Sequence, residues 1–162
     1  MDDGHIIAGL LENTVAKYPD YPAVRWIVKK QIPEKSYREL NEDRNKIAGA
    51  LLKNGFEGKQ VAMIGTSSYE WIASYLGIVG TKITAVPLDP MLPPMELCDL
   101  INRSDSEALF IAPKLASMID IVKENCPAVR LFVVLDGKPS PEGPSIVSFA
   151  EFISGEDGAA VP

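Results

Sequence analysis

The chain has 162 residues, of which 46% are hydrophobic and 23% charged, a composition typical of one globular domain with a full core. Its net charge of −6 excludes a general attraction to nucleic acid or anionic lipid, although a small local basic patch is compatible with that total. No apolar run approaches the ~20 residues of a membrane helix, and the acidic start does not fit a signal peptide, so we predict a cytoplasmic protein.

The residues most often used in catalysis or metal binding are scarce. Cys98 and Cys126 are the only cysteines, and His5 is the only histidine. Two distant cysteines form neither a disulfide framework nor a zinc-ligand cluster, so we expect two reduced thiols in or near the core. We expect His5 to lie on the surface rather than in a catalytic pair.

The first third of the chain predicts a helix, a hairpin and a second helix. Apolar residues from Ile6 to Val15 recur at helical spacing, and the helix should end before Pro19. The β-forming run 23–28 and residues 35–37 predict a small hairpin. Ser36 and Glu39 have capping-box spacing and should begin a helix that ends at residues 54–55. We assign its solvated face to Glu42, Asp43, Arg44 and Lys46.

Four apolar runs then alternate with helical patterns. The predicted strands are residues 61–64, 83–88, 108–112 and 129–135. The helices between them carry apolar stripes, namely Trp71, Ile72, Tyr75, Leu76 and Val79; Leu97, Leu100 and Ile101; and Leu115, Met118, Ile119 and Val122. Strands that are apolar throughout are covered on both faces. We therefore predict an α/β fold, a doubly wound and mostly parallel sheet flanked by helices, with a small N-terminal β-hairpin.

The end of the chain predicts one more short helix. Residues 136–145 are rich in proline and glycine and should form a loop, and Ser148 with Glu151 has capping-box spacing. We assign residues 1–153 to one domain and 154–162 to a flexible tail.

Open parallel sheets bind ligands beyond the carboxyl ends of their strands, which here are followed by residues 65–68 and by Asp89. Residues 65–68 carry amides and hydroxyls suited to a phosphate, but they match neither a dinucleotide fingerprint nor a P-loop. We interpret Ser67 with Glu70 as a third capping box and Asp89, between two prolines, as a turn residue.

Two further candidates have simpler explanations. Trp71 and Tyr75 could stack on a base, but their helical spacing favours the core, and Lys59 should be solvated. The sequence therefore supports no catalytic, cofactor-binding or metal-binding residue.

Four segments resemble the adenylate-forming (AMP-binding) enzymes, and they follow one another along the chain in the same order as in that family. Residues 35–40 resemble the first core motif, Ser/Thr-Tyr-x-Glu-Leu, and residues 75–90 look like the second, which ends in Val-Pro-Leu-Asp/Asn-Pro. Residues 55–71 are similar to the Gly-rich and Glu-Trp stretch between them. Residues 96–110 are similar to bacterial long-chain fatty-acid–CoA ligases in particular.

This resemblance implies the N-terminal portion of a ligase that converts ATP, a fatty acid and CoA to acyl-CoA, AMP and pyrophosphate with magnesium. In such chains the phosphate loop, the nucleotide contacts and a C-terminal lysine come later, so we expect the 162 residues to hold no cofactor site and to be inactive alone. The implied partners are the remainder of the ligase chain and the fatty acid, with no nucleic acid.

Other assemblies and functions stay open at the level of sequence. The isolated segment could form a homodimer through an exposed edge at residues 83–88 or 129–135. One alternative function is a stand-alone binding or interaction module that has the same α/β fold. A small flavodoxin-like nucleotide binder would need a phosphate loop.

Overall fold

The computed structural model describes residues 7–136 and 143–159, and it confirms the predicted α/β class. In chain order the elements are α1 (Ile7–Lys17), β1 (Pro22–Arg25), β2 (Glu34–Ser36), α2 (Tyr37–Lys53), β3 (Gln60–Ile64), α3 (Tyr69–Val79), β4 (Thr84–Leu88), α4 (Pro94–Arg103), β5 (Ser106–Ile111), a 3₁₀ turn (Pro113–Met118), α5 (Ile119–Asn125), β6 (Leu131–Val134), β7 (Ile146–Ser148) and α6 (Phe149–Ile153). His5, Ile6 and most of the predicted loop 136–145 lie outside the described residues.

A five-stranded parallel sheet forms the centre of the domain, in the order β4-β3-β5-β6-β7. The hairpin of β1 and β2 is a separate antiparallel sheet, as predicted. The chain leaves β3 toward β4 on one side and then crosses back to β5 on the other. The topological switch point therefore lies between β3 and β5, as in flavodoxin-like sheets.

Strand β7 was missing from the sequence-based prediction. Its residues 146–148 pair in parallel with β6, with Val133 opposite Val147. A strand of three residues is too short to show a period of alternation, and the sequence before it is rich in proline and glycine. Because β7 covers β6, the predicted edge at residues 129–135 is wrong. Among the described strands β4 does lie at an edge of the sheet, as expected.

Helix α2 begins at the predicted capping box. The Ser36 hydroxyl accepts a hydrogen bond from the Glu39 amide at 3.2 Å, and the Glu39 carboxylate accepts one from the Ser36 amide at 2.8 Å. The predicted solvated face is wrong at Arg44, which is 5% exposed and donates to Glu12 at 2.6 Å. It is also wrong at Asp43, which accepts from the Tyr69 hydroxyl at 2.6 Å. Charged side chains become buried here because both α1 and α3 pack on α2.

Helix α3 packs on α2 through a different face from the predicted one. The buried residues are small or slim, namely Ala73, Ser74, Gly77 and Ile78, besides Tyr69 near the helix start. The bulky stripe that includes Trp71 and Tyr75 is only half-buried, and these two rings stack 5.5 Å apart. Small residues allow two helices to approach closely, which a pattern of large apolar residues does not reveal.

The helix predicted through Leu115 and Val122 is divided. Its first half is a 3₁₀ turn, which has three residues per turn and buries Ala116 where helical spacing had assigned Leu115. On α4, Leu97 and Ile101 face inward as predicted, but Cys98 is buried and Leu100 only half-buried.

The chain after α6 lies against α2 as far as Gly158. Glu156 forms an ion pair with Lys53 at 2.8 Å, and the Gly158 carbonyl accepts from the Asn45 side chain at 3.2 Å. The domain boundary at residue 153 and the mobility of the tail stay predictions. No helix in the described ranges combines the length and the apolar character needed to cross a membrane.

Candidate functional site

A cleft of about 170 Å³ lies at the carboxyl ends of β3, β5 and β6, next to the topological switch point. Its lining consists of Thr66, Ser68, Ala112, Pro113, Lys114, Leu135 and Asp136. Doubly wound sheets bind their ligands in this place, but sites for drug-sized molecules usually measure about 300–1,000 Å³. The part of this cleft that the described residues line is therefore smaller than a typical small-molecule site.

The cleft is narrow because the loops after β3 and β5 touch. The Ala112 amide donates to the Ile64 carbonyl at 2.9 Å, which extends the strand pairing by one residue. A Cβ built on Gly65 would lie 2.8 Å from the Cβ of Ala112. Glycine at position 65 is thus needed for close packing, a role that does not require a phosphate.

The loop of residues 65–68 caps helix α3, but not through the predicted residue. The helix begins at Tyr69, so Ser68 is the N-cap, and its hydroxyl accepts from the Trp71 amide at 3.1 Å. The predicted pair of Ser67 and Glu70 is therefore wrong by one position, and Ser67 is exposed. The sequence offered two adjacent serines, and the spacing of the acidic residue favoured the wrong one.

Asp89 has the turn role that was predicted for it. Its carboxylate accepts a hydrogen bond from the Met91 amide at 2.9 Å, and its side chain is exposed. It forms the turn between β4 and α4.

The sequence predicted that Lys59 is solvated, but the structure places it in an ion pair. Its ammonium lies 2.6 Å from the Glu107 carboxylate, which Arg130 also contacts at 3.1 Å. Lys59 and then Arg130 lower the pKa of Glu107 below its usual value. The Arg130 guanidinium also lies 3.8 Å from the ring centre of Phe56. This network joins the amino ends of β3 and β5, the opposite edge of the sheet from the cleft, so it stabilises the fold and does not belong to the candidate site.

The two cysteines are buried free thiols, as predicted. The Cys126 sulfur lies 3.6 Å from the Cys98 carbonyl oxygen, and burial raises the pKa of the Cys126 thiol to about 12. A thiol held in its neutral form is a poor nucleophile. Within residues 7–136 and 143–159, no group of three His, Cys, Asp or Glu side chains could hold a metal.

The family model of the AMP-binding enzymes matches residues 11–155, which is most of the chain. The chain belongs to this family. The long-chain-fatty-acid–CoA ligase of Thermus thermophilus is 24% identical over 144 residues, a match that covers 88% of this chain and 26% of that ligase. Gramicidin S synthase 2 of Brevibacillus brevis is 32% identical over 114 residues, which cover 70% of this chain and 2% of the synthase.

The solved structures of this family have the same fold as the chain. A crystal structure of the anthranilate CoA ligase AuaEII in complex with anthranoyl-AMP superimposes with a TM-score of 0.82 at 21% identity, covering 94% of this chain and 28% of the ligase. The 162 residues thus span about a quarter of the length of such ligases.

The family motifs have structural roles in this member of the AMP-binding family. The first motif contains the capping box of Ser36 and Glu39. The second contains Gly77, which lies against α2, and Asp89, which forms a turn. The motif residues Ser36, Glu39, Gly77 and Asp89 therefore help to build the domain.

Proposed function

We propose that this chain is the N-terminal portion of an AMP-forming acyl-CoA ligase and acts as a scaffold for chemistry performed by residues outside the 162. The observation that carries this proposal is the family match over residues 11–155 in a chain that spans a quarter of its ligase relatives. The 170 Å³ cleft, smaller than a typical small-molecule site, is consistent with this assignment.

The proposed reaction has two steps. A substrate carboxylate oxygen attacks the α-phosphorus of ATP, which forms an acyl adenylate and releases pyrophosphate. The CoA sulfur then attacks the acyl carbon, a thioester forms, and AMP leaves. We assign the contacts to ATP, magnesium and CoA to the part of the enzyme outside this chain. In support, the described residues include no group of three His, Cys, Asp or Glu side chains that could hold a metal.

A long-chain fatty acid is the proposed substrate. The Thermus thermophilus long-chain-fatty-acid–CoA ligase aligns with 88% of this chain, more than the 70% that aligns with Gramicidin S synthase 2. The anthranilate CoA ligase has the same fold, so an aromatic acid is the alternative substrate class.

The remainder of the ligase is the proposed partner, and its docking surface comprises β4 and the half-buried face of α3. Helix α3 contacts β4, which has one described strand neighbour and no fully buried residue. Next to it, Trp71 and Tyr75 present stacked rings that are only half-buried. Apolar surface of this kind is typical of an interface between domains.

The proposal is tested by reading the coding frame beyond the codon of Pro162 and assaying the longer product. We expect a Ser/Thr/Gly-rich segment and, with ATP, magnesium and hydroxylamine as trap, acyl hydroxamate from long-chain fatty acids. Hydroxamate from anthranilate but from no fatty acid would contradict the substrate class. A frame that stops at Pro162 would favour a stand-alone interaction module.

A further inference from the structure

The tip of the β1–β2 hairpin, residues 27–32, is exposed at every position. Three of the six side chains are aliphatic, and Ile27, Val28 and Ile32 are 79%, 46% and 66% exposed. Single exposed apolar residues are common on protein surfaces, but three at one hairpin tip form a local apolar surface. From this tip we infer a docking site for an anionic lipid surface.

The hydrogen bonds of the hairpin define which side chains face outward. Val28 and Gln31 exchange backbone hydrogen bonds of 3.0 and 2.9 Å, and the Trp26 amide donates to the Pro33 carbonyl at 3.2 Å. Side chains alternate between the faces of a strand, so Ile27 and Ile32 are partners on the face opposite Trp26.

The inner face of the hairpin is fixed to the domain. The Trp26 ring stacks on Tyr69 with ring centres 5.5 Å apart, and the Tyr69 hydroxyl donates to Asp43. The pair of Ile27 and Ile32 is therefore directed away from the domain, on the face where alternation normally places polar residues. A tip held in this way loses little conformational freedom when it docks.

Basic residues surround this aliphatic pair. Residues 22–36 contain four basic side chains, of which Arg25 pairs with Glu34 at 2.8 Å and Lys35 pairs with Glu39 at 3.1 Å. Neither Lys29 nor Lys30 takes part in an ion pair among the described residues. Lys29 also has φ +57°, a conformation that favours glycine or asparagine over lysine.

These features fit the headgroup boundary of an anionic bilayer. Aliphatic side chains enter the acyl boundary there, while ammonium groups stay at the level of the phosphates. Salt screens charges beyond about 8 Å, so the acidic remainder of the chain opposes the two tip lysines only weakly. A bilayer with anionic headgroups supplies both an apolar medium for the aliphatic pair and phosphates for the two lysines. The inference does not depend on the reaction proposed above.

The test is co-sedimentation of the chain with vesicles of phosphatidylcholine alone or mixed with phosphatidylserine. We expect binding to the mixed vesicles that weakens as salt is added. Each lysine near an anionic membrane contributes about 1 kcal/mol of binding free energy, which corresponds to about a fivefold change in the partition coefficient. The double variant Lys29→Gln with Lys30→Gln should therefore bind about 25-fold more weakly. The double variant Ile27→Ser with Ile32→Ser should lose about tenfold or more.

Two matched controls remove the same chemistry elsewhere. Lys53→Gln with Lys82→Gln removes two charges at the amino end of the sheet. Met91→Ser with Met95→Ser removes two apolar side chains that are 86% and 60% exposed. Both controls should bind like the parent chain. Absence of binding to mixed vesicles, or equal losses in control and hairpin variants, would overturn the inference. Full binding by the serine variant would overturn it too, because charge alone would then explain the attraction.

Discussion

Gly77 of α3 lies directly against the main chain of Arg44 in α2. A Cβ built on Gly77 would be 2.8 Å from the Arg44 carbonyl oxygen and 2.9 Å from the Cβ of Ile47. Contacts this short do not occur for a real Cβ, so glycine sets the distance between the two helices. The same contact explains how a glycine in the second family motif contributes to folding.

Replacement of Gly77 by alanine should destabilise the domain, because the added methyl group forces α3 away from α2. We expect the free energy of unfolding to fall by about 1–3 kcal/mol, measured by urea denaturation. Gly155→Ala is the control, since a Cβ there meets no atom within 4 Å, and it should change stability by about 0.5 kcal/mol or less. Equal effects of the two substitutions would show that the close helix contact is not needed.

Loss of a helix cap should destabilise the domain at Ser68 but not at Ser67. Ser68 accepts from the Trp71 amide, whereas Ser67 is exposed and is not the N-cap. Ser68→Ala, like Ser36→Ala at the start of α2, should cost about 0.5–2 kcal/mol in thermal or urea unfolding. Ser67→Ala should be close to neutral. A larger loss for Ser67→Ala would place the cap where the sequence pattern first suggested.

Acid should destabilise the domain through Glu39 and Glu151. Backbone hydrogen bonds from Ser36 and Ser148 lower the pKa of these two carboxyls below the usual value of 4.5. A pKa that is lower in the folded state means that the contribution to stability is complete above the unfolded pKa and is lost as the pH falls through the folded pKa. Melting temperatures between about pH 6 and about pH 3 should therefore fall less steeply for Glu39→Gln with Glu151→Gln than for the parent. Parallel curves would show that the caps do not titrate.

The isolated chain should self-associate weakly through β4 and the adjoining face of α3. The strand has one described neighbour, so its other edge can pair, although Pro87 removes one donor. We expect light scattering to show a dimer that dissociates over a hundredfold dilution. Val86→Lys on this strand should abolish the dimer, while Met91→Lys beyond the strand should not. A monomer at every concentration would contradict this prediction.

The sequence predicted those features that local patterns determine. The capping boxes at Ser36 and Ser148 and the alternation of strands and helices follow from residues close together in the chain. The burial of Arg44, the packing face of α3 and the pairing of β7 with β6 depend on contacts between distant segments, which periodicity does not encode. At the candidate site the sequence located the loop after β3, but the closeness of Gly65 and Ala112 required the structure.

We assign these 162 residues to a scaffold without ligase chemistry, and pyrophosphate release by the isolated chain measures that chemistry. The chain is incubated with ATP, magnesium, CoA and a panel of fatty acids, beside a blank without protein. Charge stabilisation by preorganised groups typically lowers a barrier by several kcal/mol, and we assign those groups to the part of the enzyme outside this chain. We predict release at the rate of the blank with every acid. Release above the blank that depends on a fatty acid would show that the 162 residues contain an active site.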